Sequence, residues 1–167
     1  WTDMTFLQHY LPGQSMEENG HSSIGLQTSW KPGLNWLLGA DFERTDGSLK
    51  QTQAEATQSG SAFLVATIPA GKHYDYQVTA MVAAVFGQYR WDLSNRSSFI
   101  FGARAETVSY DYENQMISGR TMDDGTPCGF GGCRFNRPES RSDSFSNVSP
   151  KLGFTHEISD EHQLYTQ

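Results

Sequence analysis

Two cysteines, Cys128 and Cys133, bracket the run Gly129-Phe130-Gly131-Gly132, with Asp123-Asp124-Gly125 before them and Arg134 to Arg141 after. In an oxidising compartment the pair is expected to close a disulfide, a small ring worth about 2 kcal/mol in the loop-entropy treatment. Metal ligation is the alternative, although two thiols four residues apart have no further ligands nearby. A second cluster, His73-Tyr74-Asp75-Tyr76, offers an imidazole, two phenols and a carboxylate to a polar ligand; such a run also serves simply to begin a strand. Asp123-Asp124-Gly125-Thr126 has the oxygen ligands calcium takes, but the pattern is too short for an EF-hand. His156-Glu157 is not a zincin motif, because Asp160 stands where the second histidine would be needed. No Ser/His/Asp arrangement and no phosphate-cradling glycine loop can be assembled, so neither an enzyme nor a cofactor is expected.

The elements that must position these residues are strands. Period-two alternation recurs along the chain and helical periodicity is almost missing. Ile24, Leu26, Thr28 and Trp30 share one face against Gly25, Gln27 and Ser29. After Lys31-Pro32-Gly33, Leu34, Trp36, Leu38, Ala40 and Phe42 oppose Asn35, Gly39, Asp41 and Glu43. Met81, Ala83, Val85, Tyr89, Trp91 and Leu93 oppose a face ending in Gln88, Arg90 and Asp92. Phe99, Phe101, Ala103 and Ala105 oppose Gly102, Arg104 and Glu106. Leu152, Phe154 and Ile158 oppose Lys151, Gly153 and Glu157. Residues 3–10 are expected to open the series and His162 to Gln167 to begin a last strand, while Ser61 to Ile68 is a candidate eighth. The expected fold is an all-β, antiparallel up-and-down meander.

The connections alternate in length: long near 11–21, short at 31–34, long near 47–75, short at 93–97, long near 115–145, short at 159–161. Transmembrane barrels have this asymmetry, with tight periplasmic turns and long extracellular loops, whereas nothing imposes it on a soluble sandwich. The polar strand faces then meet a wet lumen, which places Asp41, Glu43, Arg104, Glu106, Lys151 and Glu157 inside. Trp30, Trp36, Tyr89 and Trp91 flank short turns, the level at which an interfacial aromatic girdle belongs. Residues 98–114 would span on the order of 55 Å at about 3.4 Å per residue, more than the hydrocarbon layer needs.

Composition narrows the alternatives. The 167 residues carry a net charge of −7, so no basic footprint for nucleic acid exists. The longest apolar stretches, Phe63 to Ile68 and Ala80 to Phe86, are far below the roughly 18–20 residues a spanning helix needs. Four Trp, ten Phe and seven Tyr are too much apolar surface for a disordered chain. Trp1 to Phe6 lacks the basic and apolar regions of a signal peptide. Seven or eight strands with no closing partner would leave two unpaired edges in lipid, each polar group costing several kcal/mol, so a fragment of a longer barrel is expected.

Three ordered stretches resemble the barrel of TonB-dependent outer-membrane receptors. They are Val85-Phe86-Gly87-Gln88-Tyr89-Arg90-Trp91-Asp92-Leu93, then Phe101-Gly102-Ala103-Arg104-Ala105-Glu106 with Tyr110-Asp111-Tyr112-Glu113-Asn114, and finally Phe145-Ser146-Asn147-Val148-Ser149-Pro150-Lys151-Leu152-Gly153-Phe154 followed by Leu164-Tyr165. The resemblance implies residence in the bacterial outer membrane, with lipid as a partner, and active import of a scarce chelate such as a ferric siderophore or cobalamin. It also implies energy from the inner-membrane TonB complex through an N-terminal part. Residues 1–167 would then be a piece of the barrel domain, without plug domain, TonB box, signal peptide or closing strands. His73, Tyr74 and Asp75 would belong to a ligand-facing loop. Two competing readings are a small complete outer-membrane barrel, acting as anchor or adhesin, and a secreted β-sandwich that binds carbohydrate through its aromatics.

Overall fold

The computed structural model describes residues 1–9, 13–159 and 161–166. Tyr10 of the expected first strand, Asp160 of the last turn and Gln167 at the end of the last strand lie outside them. The strands are β1 (Thr2–Leu7), β2 (Met16–Trp30), β3 (Trp36–Gln53), β4 (Gly71–Ser94), β5 (Ser97–Asn114), β6 (Arg141–Ser159) and β7 (His162–Thr166), with one helix, α1 (Ala62–Thr67). They pair in chain order as one open, antiparallel, up-and-down sheet, not the two packed sheets of a sandwich. The first pair runs from Thr2↔His21 to Leu7↔Met16, and the last from Phe154↔Thr166 to Ser159↔His162 with a bulge beyond Glu157. No helix among the described residues is long and apolar enough to cross a membrane.

Two expectations are corrected. Ser61 to Ile68 is not a strand: its apolar run is a helix, because the Ser61 hydroxyl caps it by accepting from the Leu64 N–H at 3.3 Å. A six-residue apolar run fits helix and strand alike, and here the cap and the bonds Val65 N to Ser61 O and Ile68 N to Leu64 O, each 3.1 Å, decide it. Second, the long connections are shorter than the sequence suggests, since β2, β4 and β6 begin earlier and β3 ends later. His73, Tyr74 and Asp75 therefore sit in β4 and not in a loop. The ladder continues past the apolar segment on polar side chains, where alternation of hydrophobicity gives no signal.

Chain contacts divide the described residues into two units. One comprises 24–44, 81–109 and 144–167, the parts around the short turns. Among the described residues Ala84 is its only buried apolar side chain. Ile24, Leu26, Val85, Leu152 and Ile158 are each more than 60% exposed, while the alternate positions Gly102, Arg104 and Glu106 are half-buried. A water-soluble sheet reverses this pattern, covering its apolar face first. The other unit comprises 1–23, 45–80 and 110–143 and has a conventional small core of Cys128, Cys133 and Phe135, with Tyr74 and Met122 packed on it. The chain exposes 11158 Å², against roughly 8,300 Å² expected for a soluble globule of its mass. An open sheet exposes both faces, and large apolar side chains such as Ile24, Leu26, Val148 and Leu152 are among the exposed ones.

Candidate functional site

In the short-turn unit the polar face carries a charged clamp. Arg104 on β5 donates from Nη1 to Asp41 Oδ2 on β3, and from Nη2 and Nε to Glu106 Oε2 at 2.8 and 3.1 Å. The intervening strand contributes Phe86, whose ring lies 6.0 Å beneath the Arg104 guanidinium. Phe86 lies flat because Gly39 faces it: a Cβ at Gly39 would stand 2.2 Å from the ring. Lys151 shares a recess with Arg104 and Gln88, so three of the expected lumen residues meet around Arg104 and a fourth lines the same hollow. Glu43 packs beside Gly25 on this face. Glu157 stays apart, exposed, with its backbone N–H donating to Arg96 O at 2.8 Å.

The opposite face of this unit carries the aromatics. Trp36 and Tyr89 touch across β3 and β4 with ring centroids 4.8 Å apart. Trp91 leads to Phe99 at 6.4 Å, and Phe99 to Phe154 at 5.0 Å. Trp30, Trp36 and Trp91 are all at least 48% exposed, an arrangement that water penalises and a headgroup layer accommodates.

In the other unit the long connections fold on one another. The Sγ atoms of Cys128 and Cys133 are bonded, so the thiols are not free for a metal. Gly132 makes the ring feasible: its φ is +129°, and a Cβ there would stand 2.9 Å from Arg120 O. Among the described residues no cluster of three or more His, Cys, Asp or Glu has the geometry to hold a metal ion. Asp124 is instead occupied by the Thr126 N–H at 2.8 Å, which holds its carboxyl below the usual carboxylate range, and Asp123 accepts from Lys72 N at 3.3 Å.

A recess of about 210 Å³ opens beside this core, lined by Gln51, Gln53, His73, Tyr74, Arg134 and Phe135 among others. His73 and Tyr74 reach it; Asp75 is paired with Lys72 Nζ at 2.7 Å and takes no part. The His73 ring is stacked on Phe135 at 4.4 Å and its Nε2 lies 2.8 Å from Pro69 O, so Nε2 carries the proton. Burial lowers the His73 pKa below the ordinary imidazole value, and the nearby Arg137 charge adds to the effect. Gln53 is almost fully buried, donating to Glu55 O at 2.7 Å and Thr57 Oγ1 at 3.1 Å. Gln53, Phe135 and Arg137 were not foreshadowed in the sequence, where a lone glutamine, phenylalanine or arginine carries no spacing signal.

A sheet with one exposed apolar face, charges clamped on the other and aromatics beside the short turns has the pattern of a transmembrane β-barrel wall. A family model described as "TonB dependent receptor-like, beta-barrel" matches residues 1–167, the full sequence. The chain therefore belongs to the TonB-dependent receptor-like β-barrel family, which consists of outer-membrane receptors with a transport role. No curated protein and no solved structure matches it.

Proposed function

We propose that this chain supplies wall strands and surface loops of an outer-membrane receptor that imports a scarce chelate, a ferric siderophore or a cobalamin, using energy delivered by the inner-membrane TonB complex. The observation that carries the proposal is the family match along the whole chain. The inner-face clamp supports a hydrated, charged lumen, and the outward apolar face supports contact with lipid. On this reading residues 1–167 are a portion of the barrel domain, and the short turns are periplasmic. The recess beside His73 and Tyr74 is the ligand-facing surface. It offers the Tyr74 ring and the cationic Arg134 to a polar chelate bearing negative charge. No step of bond making or breaking is involved; the residues bind and release.

The test is uptake. Cells with and without the protein are offered, in turn, a ferric catecholate, a ferric hydroxamate, ferric citrate and cyanocobalamin, each radiolabelled. Loss of energy-dependent uptake of one of them in the deletion strain, restored by the wild-type gene, is the expected result. Unchanged uptake of all four would overturn the chelate assignment.

A further inference from the structure

We infer that Arg137 is a positioning residue that clamps the segment 115–140 onto the start of β4, so that it and the segment 54–70 laced to it form one pre-formed cap, and that it fixes the aromatic wall of the recess. The arginine side chain is 1% exposed, yet among the described residues no carboxylate accepts a hydrogen bond from it. Instead it donates to carbonyls from two separate parts of the chain. Nε bonds Ile117 O at 2.8 Å, and Nη2 bonds Thr121 O at 2.6 Å, Thr121 Oγ1 at 2.9 Å and Met122 O at 2.9 Å. Nη1 reaches His73 O at 3.3 Å and Lys72 O at 3.4 Å on β4. The guanidinium also lies 5.3 Å from the centroid of Phe135, the ring against which His73 stacks.

Desolvation costs the cation heavily, and burial pushes the Arg137 pKa down. A buried charge is tolerated only where its donors are met, and here a planar fork meets carbonyls that no single ammonium could span. Around this hub the segment 115–140 is laced to itself and to 54–70. Gly119 and Arg137 exchange backbone bonds at 2.7 and 3.1 Å, Cys133 N bonds Arg120 O at 2.8 Å, and Arg120 Nε returns to Cys133 O at 2.8 Å. Gly129 N bonds Ala66 O at 3.1 Å and Arg134 N bonds Thr67 O at 2.9 Å, which ties the disulfide ring to α1. The recess wall is thus set before any ligand arrives. Only its consequence for binding rests on the proposed function; the folding role stands independently.

Hydrogen exchange read by mass spectrometry on the detergent-solubilised wild-type receptor, Arg137→Lys and Arg137→Met tests it. Both variants are expected to exchange at least tenfold faster in peptides covering 62–68 and 117–137, with peptides from 81–109 unchanged as the control for an intact barrel. Lysine is not expected to rescue, because charge alone does not replace the fork. Wild-type exchange in Arg137→Lys, or in both variants, would overturn the inference. Arg134→Gln separates the two readings, because the Arg134 side chain is exposed and lines the recess: it is expected to keep wild-type exchange and to weaken binding of whichever of the four uptake probes is transported. Should Arg134→Gln bind that probe normally while the Arg137 variants loosen the cap, the recess assignment fails and the positioning role survives.

Discussion

Leu26 and Gln27 are neighbours in β2 on opposite faces of the sheet, which makes them a paired test of which face meets lipid. Leu26 is 67% exposed and Gln27 is exposed as well, so in water an arginine at either position would be nearly neutral. In a bilayer the two diverge. Leu26 lies four residues before Trp30, the girdle residue at the short turn. At about 3.3 Å per residue and a tilt of roughly 40°, that places it about 10 Å inside the interface. The apolar band is about 25 Å tall, so Leu26 sits close to the midplane, where an arginine costs about 2–4 kcal/mol. Leu26→Arg is therefore expected to lower the folded-to-unfolded ratio by a factor between roughly 30 and 1,000. Gln27 shares a recess with Asp41 and Arg104, and an arginine there faces water and the Asp41 carboxylate; the expected change is under about 0.5 kcal/mol. The assay is guanidinium unfolding of the receptor reconstituted in phospholipid vesicles, followed by the loss of heat-modifiable migration on gels. Equal midpoints for the two variants, or a costlier Gln27→Arg, would refute the assignment of faces.

Arg104→Met removes the cation shared by Asp41 and Glu106 and leaves two carboxylates on one face; because all three side chains are partly solvated, a small fall in the same unfolding midpoint is expected, relieved in the double variant with Asp41→Asn. The cap is expected to loosen on acidification: His73 is held below its ordinary pKa of 6.5 by burial, so the opened state takes up a proton first. The stability is fully present above pH 6.5 and is lost as pH falls through that value toward the lowered native pKa. Protease cleavage within 115–140 should accelerate across that window in the wild type and lose the pH dependence in His73→Phe.

What could be read beforehand was whatever lipid or water imposes directly on side-chain type. Ile24, Leu26 and Leu152 alternate with Gly25, Gln27 and Lys151 because one face must be apolar, and that rule fixes both strand and phase. The clamp was legible only by halves: Asp41, Arg104 and Glu106 share a phase, but nothing in the spacing says that Arg104 reaches across Phe86 to a strand two places away. Upper strand segments such as Arg141 to Asn147 were invisible, since backbone pairing in water makes no demand on hydrophobicity there. The Cys128–Cys133 ring announced itself through its short spacing and glycines. Arg137 could not, because its partners are main-chain carbonyls, which every residue carries alike.

These differences reflect two solvents acting on one chain. Around the short turns the described residues bury one apolar side chain, so the usual term of about 25 cal/mol per Å² has almost nothing to act on within the chain itself. Order there must come from ladder hydrogen bonds that a low-dielectric surround makes expensive to break, and from apolar faces transferred into lipid. The cap is built differently. Its segments lie between strands, and cross-links add to a small core of Cys128, Cys133 and Phe135: one disulfide, one helix capped by Ser61, and one arginine whose desolvation is offset by carbonyls. A substitution is then tolerated according to which solvent it answers to. An added charge is expected to be costly at Leu26 and nearly neutral at Gln27, whereas losing a charge is expected to be costly at Arg137, where replacement by an apolar side chain of similar length leaves carbonyls of 117–122 and of β4 without donors.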